Sequence, residues 1–183
     1  MNRYPEIRID VDLSDRQIDL IEENIDLAIR VGDLSNSTLV ARKLADVHFA
    51  TCASPAYLET HGEPAHPSEL IDHEVVVYSN ISVGGQWFYE LDGKRVNPRM
   101  KYRLTANNGE FLAAVSGSGH AIVNGPVALL QPYIDNGSLR PILQRHPRPM
   151  VGMYAVYPPG RLVPGRVRRL SDSIFEYFRE RDI

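Results

Sequence analysis

The residues best suited to catalysis or metal binding do not form any known catalytic or metal-binding motif. Ser118 is flanked directly by Gly117 and Gly119, so the Gly-x-Ser-x-Gly arrangement is missing, as is the third glycine of a dinucleotide-binding loop. The six histidines never show His-Glu-x-x-His or another metal-ligand spacing. Cys52 lies in the apolar run Phe49–Ala53, which is more typical of a buried hydrophobe than of a reactive thiol. The sequence therefore indicates no catalytic site, metal or cofactor, and a small enzyme stays an open alternative.

Composition sets further bounds on the class of protein. The chain has 183 residues, 43% hydrophobic and 23% charged, which is typical of a globular domain or two small lobes. Its net charge of −3 argues against bulk electrostatic binding to nucleic acid or an anionic membrane. A single cysteine rules out an intrachain disulfide, no apolar run approaches about 18 residues, and the first residues do not form a signal peptide. A soluble cytoplasmic protein is predicted.

The first thirty residues predict a strand, a helix and a second strand. Apolar and polar residues alternate over 7–11, which indicates a half-buried strand. Ser14 and Gln17 have the spacing of a capping box, and isoleucines at helical spacing follow over 18–25. The nearly unbroken apolar strand at 26–31 completes what resembles a parallel βαβ unit with strands buried on both faces.

Later segments continue the alternation of strands and helices. Ser54 precedes a proline and is predicted to cap a helix, while the β-branched run Glu74–Tyr78 indicates a strand. Asn107 or Asn108 is predicted to cap a second helix, and residues 166–181 are amphipathic. The pattern predicts an α/β fold.

Many short motifs follow one another in a characteristic order. They are Asp26–Gly32, Leu39–Leu44, Cys52–Leu58, His61-Gly62-x-Pro64, Pro67–Leu70, His73, Tyr78, Trp87, Asn107 or Asn108, Gly117–Ile122, Gly137-x-Leu139 and Val156–Pro158. Each motif alone is weak, but together, in this order, they resemble the effector-binding module of LysR-type transcriptional regulators. The resemblance covers essentially the whole chain.

The resemblance implies two Rossmann-like α/β lobes joined by two crossovers, similar to type II periplasmic solute-binding proteins. Residues 1–52 and 147–183 are predicted to form lobe I and residues 53–146 lobe II, with a small-molecule effector between them. The family's effector module begins one strand and one helix earlier, so lobe I is predicted to be incomplete and to pair with a second copy in a homo-oligomer. DNA is expected to bind only through a winged helix absent from this sequence, and no membrane partner is expected.

The resemblance also implies an effector site. Its candidate residues are Ser14, Arg30, Gly32, Tyr78, Asn107, Asn124 and Gly125. The helix N-terminus at Ser14 either binds a carboxylate of the effector or is only capped by the serine. Arg30 is either a counter-charge for the effector or a partner in a structural ion pair. Tyr78 stacks on an effector or belongs to the core. Gly32 is a turn glycine or a ligand contact. Asn107 is a helix cap or a ligand contact.

The sequence departs from the family at one of these positions. Asn124 stands before Gly125 where the family usually has proline, and the amide adds a donor and an acceptor. The leading prediction is a sensor of an anionic or aromatic effector. A solute-binding protein of a transport system is the alternative with the same architecture, and the missing secretion signal counts against it.

Overall fold

A computed structural model of the chain describes residues 7–13, 18–32, 40–79, 87–159 and 163–179. The strands are β1 Ala28–Val31, β2 Val40–Val47, β3 Phe49–Ala53, β4 Glu74–Tyr78, β5 Tyr89–Leu91, β6 Lys94–Val96, β7 Lys101–Ala106, β8 Val123–Pro126, β9 Arg140–Ile142 and β10 Val151–Tyr157. The helices are α1 Pro55–His61, α2 Gly109–Gly117, α3 Val127–Asp135 and α4 Gly165–Arg179, with a 3₁₀ helix at Pro67–Asp72. Within these residues, no helix has both the length and the apolar character needed to span a bilayer.

The chain folds into two compact units. The first unit contains Met1–Asp46 and Gly152–Ile183, and the second contains Val47–Val151. The second unit begins at Val47 rather than at the predicted residue 53, because β3 pairs with β8 and β9. It ends at Val151 rather than at residue 146, which places Arg148 in the second unit.

The first unit is a three-stranded sheet with α4 packed on one face. The strand order is β1-β10-β2. Leu44, Ala155 and Val167 form its buried centre, and Val167 lies on the apolar face that the sequence predicts for α4. The buried hydroxyl of Tyr157 donates to Ser171 Oγ at 2.6 Å, which fixes the helix against the sheet.

The N-terminal βαβ prediction is wrong. Residues 7–13 form no strand, and Val11 and Leu13 are 65% and 94% exposed. In the described part of the predicted helix, residues 18–25, there is a single turn at 20–24. Asp19 Oδ1 accepts from Ile21 N at 2.8 Å at its start, and Asn24 with φ 54° lies at its end. The Asp19 side chain caps this turn at its start, and a residue in the left-handed conformation ends it.

Strand β1 also differs from its prediction. It pairs antiparallel with β10, with Arg30 opposite Tyr154, rather than parallel with a preceding strand. It lies at one side of the three-stranded order, so Ile29 and Val31 stay 44% and 46% exposed instead of being buried on both faces.

The second unit is built on a mixed sheet. Antiparallel β8-β3-β9 is joined to parallel β4-β7 by a parallel bridge between Val75 and Ile122. Val76 N donates to Ile122 O at 3.0 Å, and Ile122 N donates to Glu74 O at 2.9 Å. The resulting strand order is β7-β4-β8-β3-β9.

Both faces of this sheet are covered, as expected for its apolar central strand. Val75 and Val77 belong to the core cluster that contains α1 and the 3₁₀ helix, while Val76 belongs to the cluster that contains α2 and α3. The predicted caps of α1 and α2 are confirmed. Ser54 Oγ accepts from Tyr57 N at 3.1 Å, and Asn108 Oδ1 accepts from Phe111 N at 2.7 Å.

Candidate functional site

The strands of the second unit bring polar residues to one edge of its sheet. Strands β4, β7 and β8 run parallel: Tyr78 is the last residue of β4 and Asn107 follows β7. Asn124 is the second residue of β8, and the bridge between Val75 and Ile122 sets it level with Val77, near the carboxyl end of β4. Strand β3 runs antiparallel to β8, and its middle residue Thr51 pairs with Asn124 and so lies at the same level of the sheet. In open α/β sheets this carboxyl edge is where ligands bind.

A chain of hydrogen bonds connects four side chains at this edge. Arg148 Nη1 donates to Asn124 Oδ1, and Asn124 Nδ2 donates to Thr51 Oγ1 at 2.9 Å. Thr51 Oγ1 lies 2.7 Å from the hydroxyl of Tyr89, with either group as the donor. Arg148 Nε also donates to the carbonyl of Phe88 at 3.1 Å. We call these four side chains, Thr51, Tyr89, Asn124 and Arg148, the polar chain.

The polar chain is partly shielded from water, with Asn124 and Arg148 half-buried. Thr51 and Tyr89 are 4% and 1% exposed, and the Arg148 guanidinium carbon lies 4.8 Å from the ring centre of Phe49. Burial raises the pKa of Tyr89 to about 12 and lowers the pKa of Arg148 to about 10. At neutral pH Tyr89 is therefore a neutral hydroxyl and Arg148 a full positive charge in a partly desolvated place, where it attracts an anion more strongly than it would in water.

Four of the predicted site residues lie along this edge. Asn124 is part of the polar chain, and Gly125 pairs with Ala50 on β3. Tyr78 is the last residue of β4, opposite Ala106, and packs partly against the core cluster with α2 and α3. Asn107 is exposed in the bend after β7, while its neighbour Asn108 provides the helix cap.

The other three predicted residues fall in the first unit. Arg30 Nη2 donates to the carbonyl of Ile18 at 2.8 Å, so its observed partner is the main chain rather than the acidic group of a structural ion pair. Gly32 has φ 150° and donates its N–H to the carbonyl of Gly152 at 3.0 Å, which fits a turn at the end of β1. Ser14 lies outside the described residues.

Sequence reasoning missed Thr51, Tyr89 and Arg148. Arg148 lies between two prolines in a segment that matches no local pattern of a site, yet these prolines fix an extended backbone that presents a single side chain in a defined direction. Thr51 was visible only as part of an apolar strand, since its partnership with Asn124 depends on the antiparallel register of β3 and β8.

Cys52, adjacent to the polar chain, behaves as a core residue. It is fully buried, and burial raises the pKa of its thiol to about 12, so almost no thiolate is present at neutral pH. Among the described residues, no three histidine, cysteine or acidic side chains come together in a way that suits a metal ion.

Comparison with known proteins places this geometry in a family. The sequence profile of the LysR substrate binding domain matches residues 1–179. An HTH-type transcriptional regulator of Xanthomonas campestris is 38% identical over 182 residues, covering 94% of the chain and 51% of that protein. The regulator CrgA of Neisseria meningitidis is 34% identical over 175 residues, covering 95% of the chain and 58% of that protein. The chain thus spans between half and three fifths of the length of these relatives.

Solved structures agree with the sequence comparison. The regulatory domain of CrgA from Neisseria meningitidis superimposes with a TM-score of 0.82 at 33% identity, covering 96% of this chain and 86% of that one. The two-lobe α/β fold of type II periplasmic-binding proteins, which the resemblance implied, is therefore confirmed. The chain belongs to the LysR substrate-binding domain family, the effector-binding part of LysR-type transcriptional regulators.

Proposed function

We propose that the chain senses a small anion through Arg148 and Asn124 and so controls transcription by the full-length protein. The observation that carries this proposal is the polar chain, which holds a half-buried guanidinium and an amide near the carboxyl edge of the second unit's sheet. The proposal retains the predicted anionic effector and narrows the predicted residues to the four that lie along this edge.

The geometry favours an anion with planar oxygens. Arg148 has one face over the Phe49 ring, so its N–H groups project in the plane of the guanidinium, where carboxylates bind side by side. Asn124 contributes an amide that both donates and accepts. The Phe49 ring beside the guanidinium also suits an aromatic acid, whose body packs on the ring while its carboxylate meets Arg148.

Effector binding would change the polar chain. In the structure Arg148 is hydrogen-bonded to Asn124, and an anion at Arg148 competes for that guanidinium. Asn124 then reorients, which changes its hydrogen bond to Thr51 on β3. The hydrogen bond between Thr51 and Tyr89 changes in turn. An effector that binds one arrangement of these groups better than the other shifts the population between them.

The relatives favour regulation over transport. The curated relatives compared above are named as HTH-type transcriptional regulators, so the solute-binding alternative is not favoured. We therefore propose binding without turnover, in a protein that meets DNA through a separate domain, assembles with further copies of itself and works in the cytoplasm.

The experiment is calorimetry and thermal melting of the chain with benzoate, salicylate, malate, citrate and phosphate. A ligand that binds wild-type should bind Arg148→Gln about 10- to 100-fold more weakly, because a hydrogen bond to a charged group contributes about 1.5–3 kcal/mol. The exposed neighbour Arg145 gives a matched control, and Arg145→Gln should bind as wild-type does. Equal affinities for Arg148→Gln and wild-type, in variants that both melt cooperatively, would refute the site.

A further inference from the structure

The hydrogen bonds of the polar chain form a closed ring. At one end, Arg148 Nε donates to the main-chain carbonyl of Phe88 at 3.1 Å. At the other end, the Tyr89 hydroxyl lies 2.7 Å from Thr51 Oγ1. Between these ends, Arg148 donates to Asn124 and Asn124 donates to Thr51. Because Phe88 and Tyr89 are consecutive residues, both ends of the polar chain meet on one short segment.

This segment is the start of the β5–β6 hairpin, which we call the hairpin and which spans residues 87–96. Asp92 and Gly93, with φ 51° and 70°, form the tight turn between its two strands. Within the described residues, β5 and β6 pair only with each other, and all three residues of β6 are exposed. A two-stranded hairpin alone is marginally stable in water, so the position of this one depends on the contacts at its base.

Apolar and polar contacts hold the base of the hairpin on the second unit. Trp87 and Tyr89 are 3% and 1% exposed and pack in the core cluster that contains α1. The polar contacts are the two ends of the ring, the Phe88 carbonyl bonded to Arg148 and the Tyr89 hydroxyl bonded to Thr51. The hairpin is therefore bonded to the same side chains that we propose as the effector site.

An anion at Arg148 acts on one end of this ring or on the other. A carboxylate that binds side by side uses two adjacent N–H groups of the guanidinium. One such pair includes Nε, which donates to Phe88, and the other includes Nη1, which donates to Asn124. Binding at the first pair competes with the Phe88 carbonyl directly. Binding at the second pair competes with Asn124, whose bond to Thr51 leads to Tyr89.

Both routes end at the base of the hairpin. We infer that the hairpin is the element of the second unit that responds to the effector, and that an anion at Arg148 loosens its attachment to the core. This inference rests on the proposed function, because the anion is the one proposed above. It adds the structural consequence of binding, which is a change in how firmly residues 87–96 are held.

Hydrogen–deuterium exchange of the 183-residue chain, read by mass spectrometry on peptides that cover 87–96, tests the inference. Without any anion, Arg148→Gln and Tyr89→Phe should each make the hairpin amides exchange about three- to tenfold faster, because each removes one polar contact at the base. The amides of α2, in the same unit, should exchange as in wild-type. Arg145→Gln, an exposed position three residues before Arg148, is the matched control and should leave the hairpin unchanged.

The second part of the experiment adds the anions of the calorimetry series one at a time. An anion that binds wild-type should make the hairpin amides exchange about three- to tenfold faster. The same anion should leave hairpin exchange in Arg148→Gln unchanged, because glutamine has no guanidinium to receive it.

Three outcomes would overturn the inference and leave the proposed function standing. The first is unchanged hairpin exchange in both Arg148→Gln and Tyr89→Phe. The second is an equal increase in the exchange of α2, which would show a general loss of stability. The third is an anion that binds wild-type more tightly than Arg148→Gln and leaves the hairpin unchanged. The variants need no anion, so they decide whether the ring holds the hairpin even where the proposed effector site fails.

Discussion

Replacing Thr51 by valine removes the middle of the polar chain with almost no change in shape. Thr51 Oγ1 is the partner of both Asn124 Nδ2 at 2.9 Å and Tyr89 OH at 2.7 Å. Two hydrogen bonds of about 1 kcal/mol each are lost, and the Tyr89 hydroxyl, 1% exposed, is left without a partner at a cost of about 1–3 kcal/mol. The valine methyl that replaces the hydroxyl keeps the packing and so offsets part of this loss of stability. We expect unfolding of the second unit in urea to lose about 2–3 kcal/mol.

A double-mutant cycle separates this account from a simple packing defect. In the double variant Thr51→Val/Tyr89→Phe both partners of one hydrogen bond are removed, so no buried hydroxyl is left without a partner. Its loss of unfolding free energy should therefore be about 1–2 kcal/mol smaller than the sum of the losses in the two single variants. Urea titrations of the four proteins, followed by tryptophan fluorescence of the buried Trp87, measure the coupling. Strictly additive losses would refute the account of a connected chain.

Three further predictions concern the rest of the chain. Ser116 is fully buried, and its hydroxyl has no partner within the described residues, so Ser116→Ala should stabilise the chain by about 1 kcal/mol in urea unfolding. Burial and the nearby His61 lower the pKa of His73 below 6.5 in the folded chain. As pH drops below about 6.5, His73 is protonated more readily in the unfolded chain than in the folded one, so the free energy of unfolding should fall. His73→Gln should make the free energy of unfolding depend less on pH in this range. Ile29 and Val31 are half-exposed on β1, so Ile29→Lys with Val31→Lys should shift sedimentation of the chain toward monomer, and a wild-type monomer at micromolar concentration would contradict this.

Local signals in the sequence were reliable where the residue itself decides the structure. Ser54 and Asn108 cap their helices because a short polar side chain meets an N–H two or three residues ahead, whatever lies around it. The amphipathic pattern of α4 likewise identified Val167 as a core residue. The same logic failed at 7–13, which form no strand, and at 18–25, where the apolar pattern is present but Asp19 and Asn24 bound a single turn.

Pairing between distant segments could not be predicted in the same way. Asn124 was identified as a polar departure from the family, but its partners come from β3 and from the segment after β9, 73 and 24 residues away. Tyr89, in turn, reaches Thr51 only because β3 is paired with β8 and β9. Register and burial, which depend on the whole sheet, determine which of several polar residues form a site.

The most direct test of the central claim is a nitrogen-15 NMR titration of the 183-residue chain with the anion that calorimetry selects. We predict saturable shifts of the Arg148 Nε–H and Asn124 Nδ2 signals, with the same midpoint as calorimetry, because the anion competes with Asn124 for the guanidinium. Saturation of binding with both of these signals unmoved would contradict it.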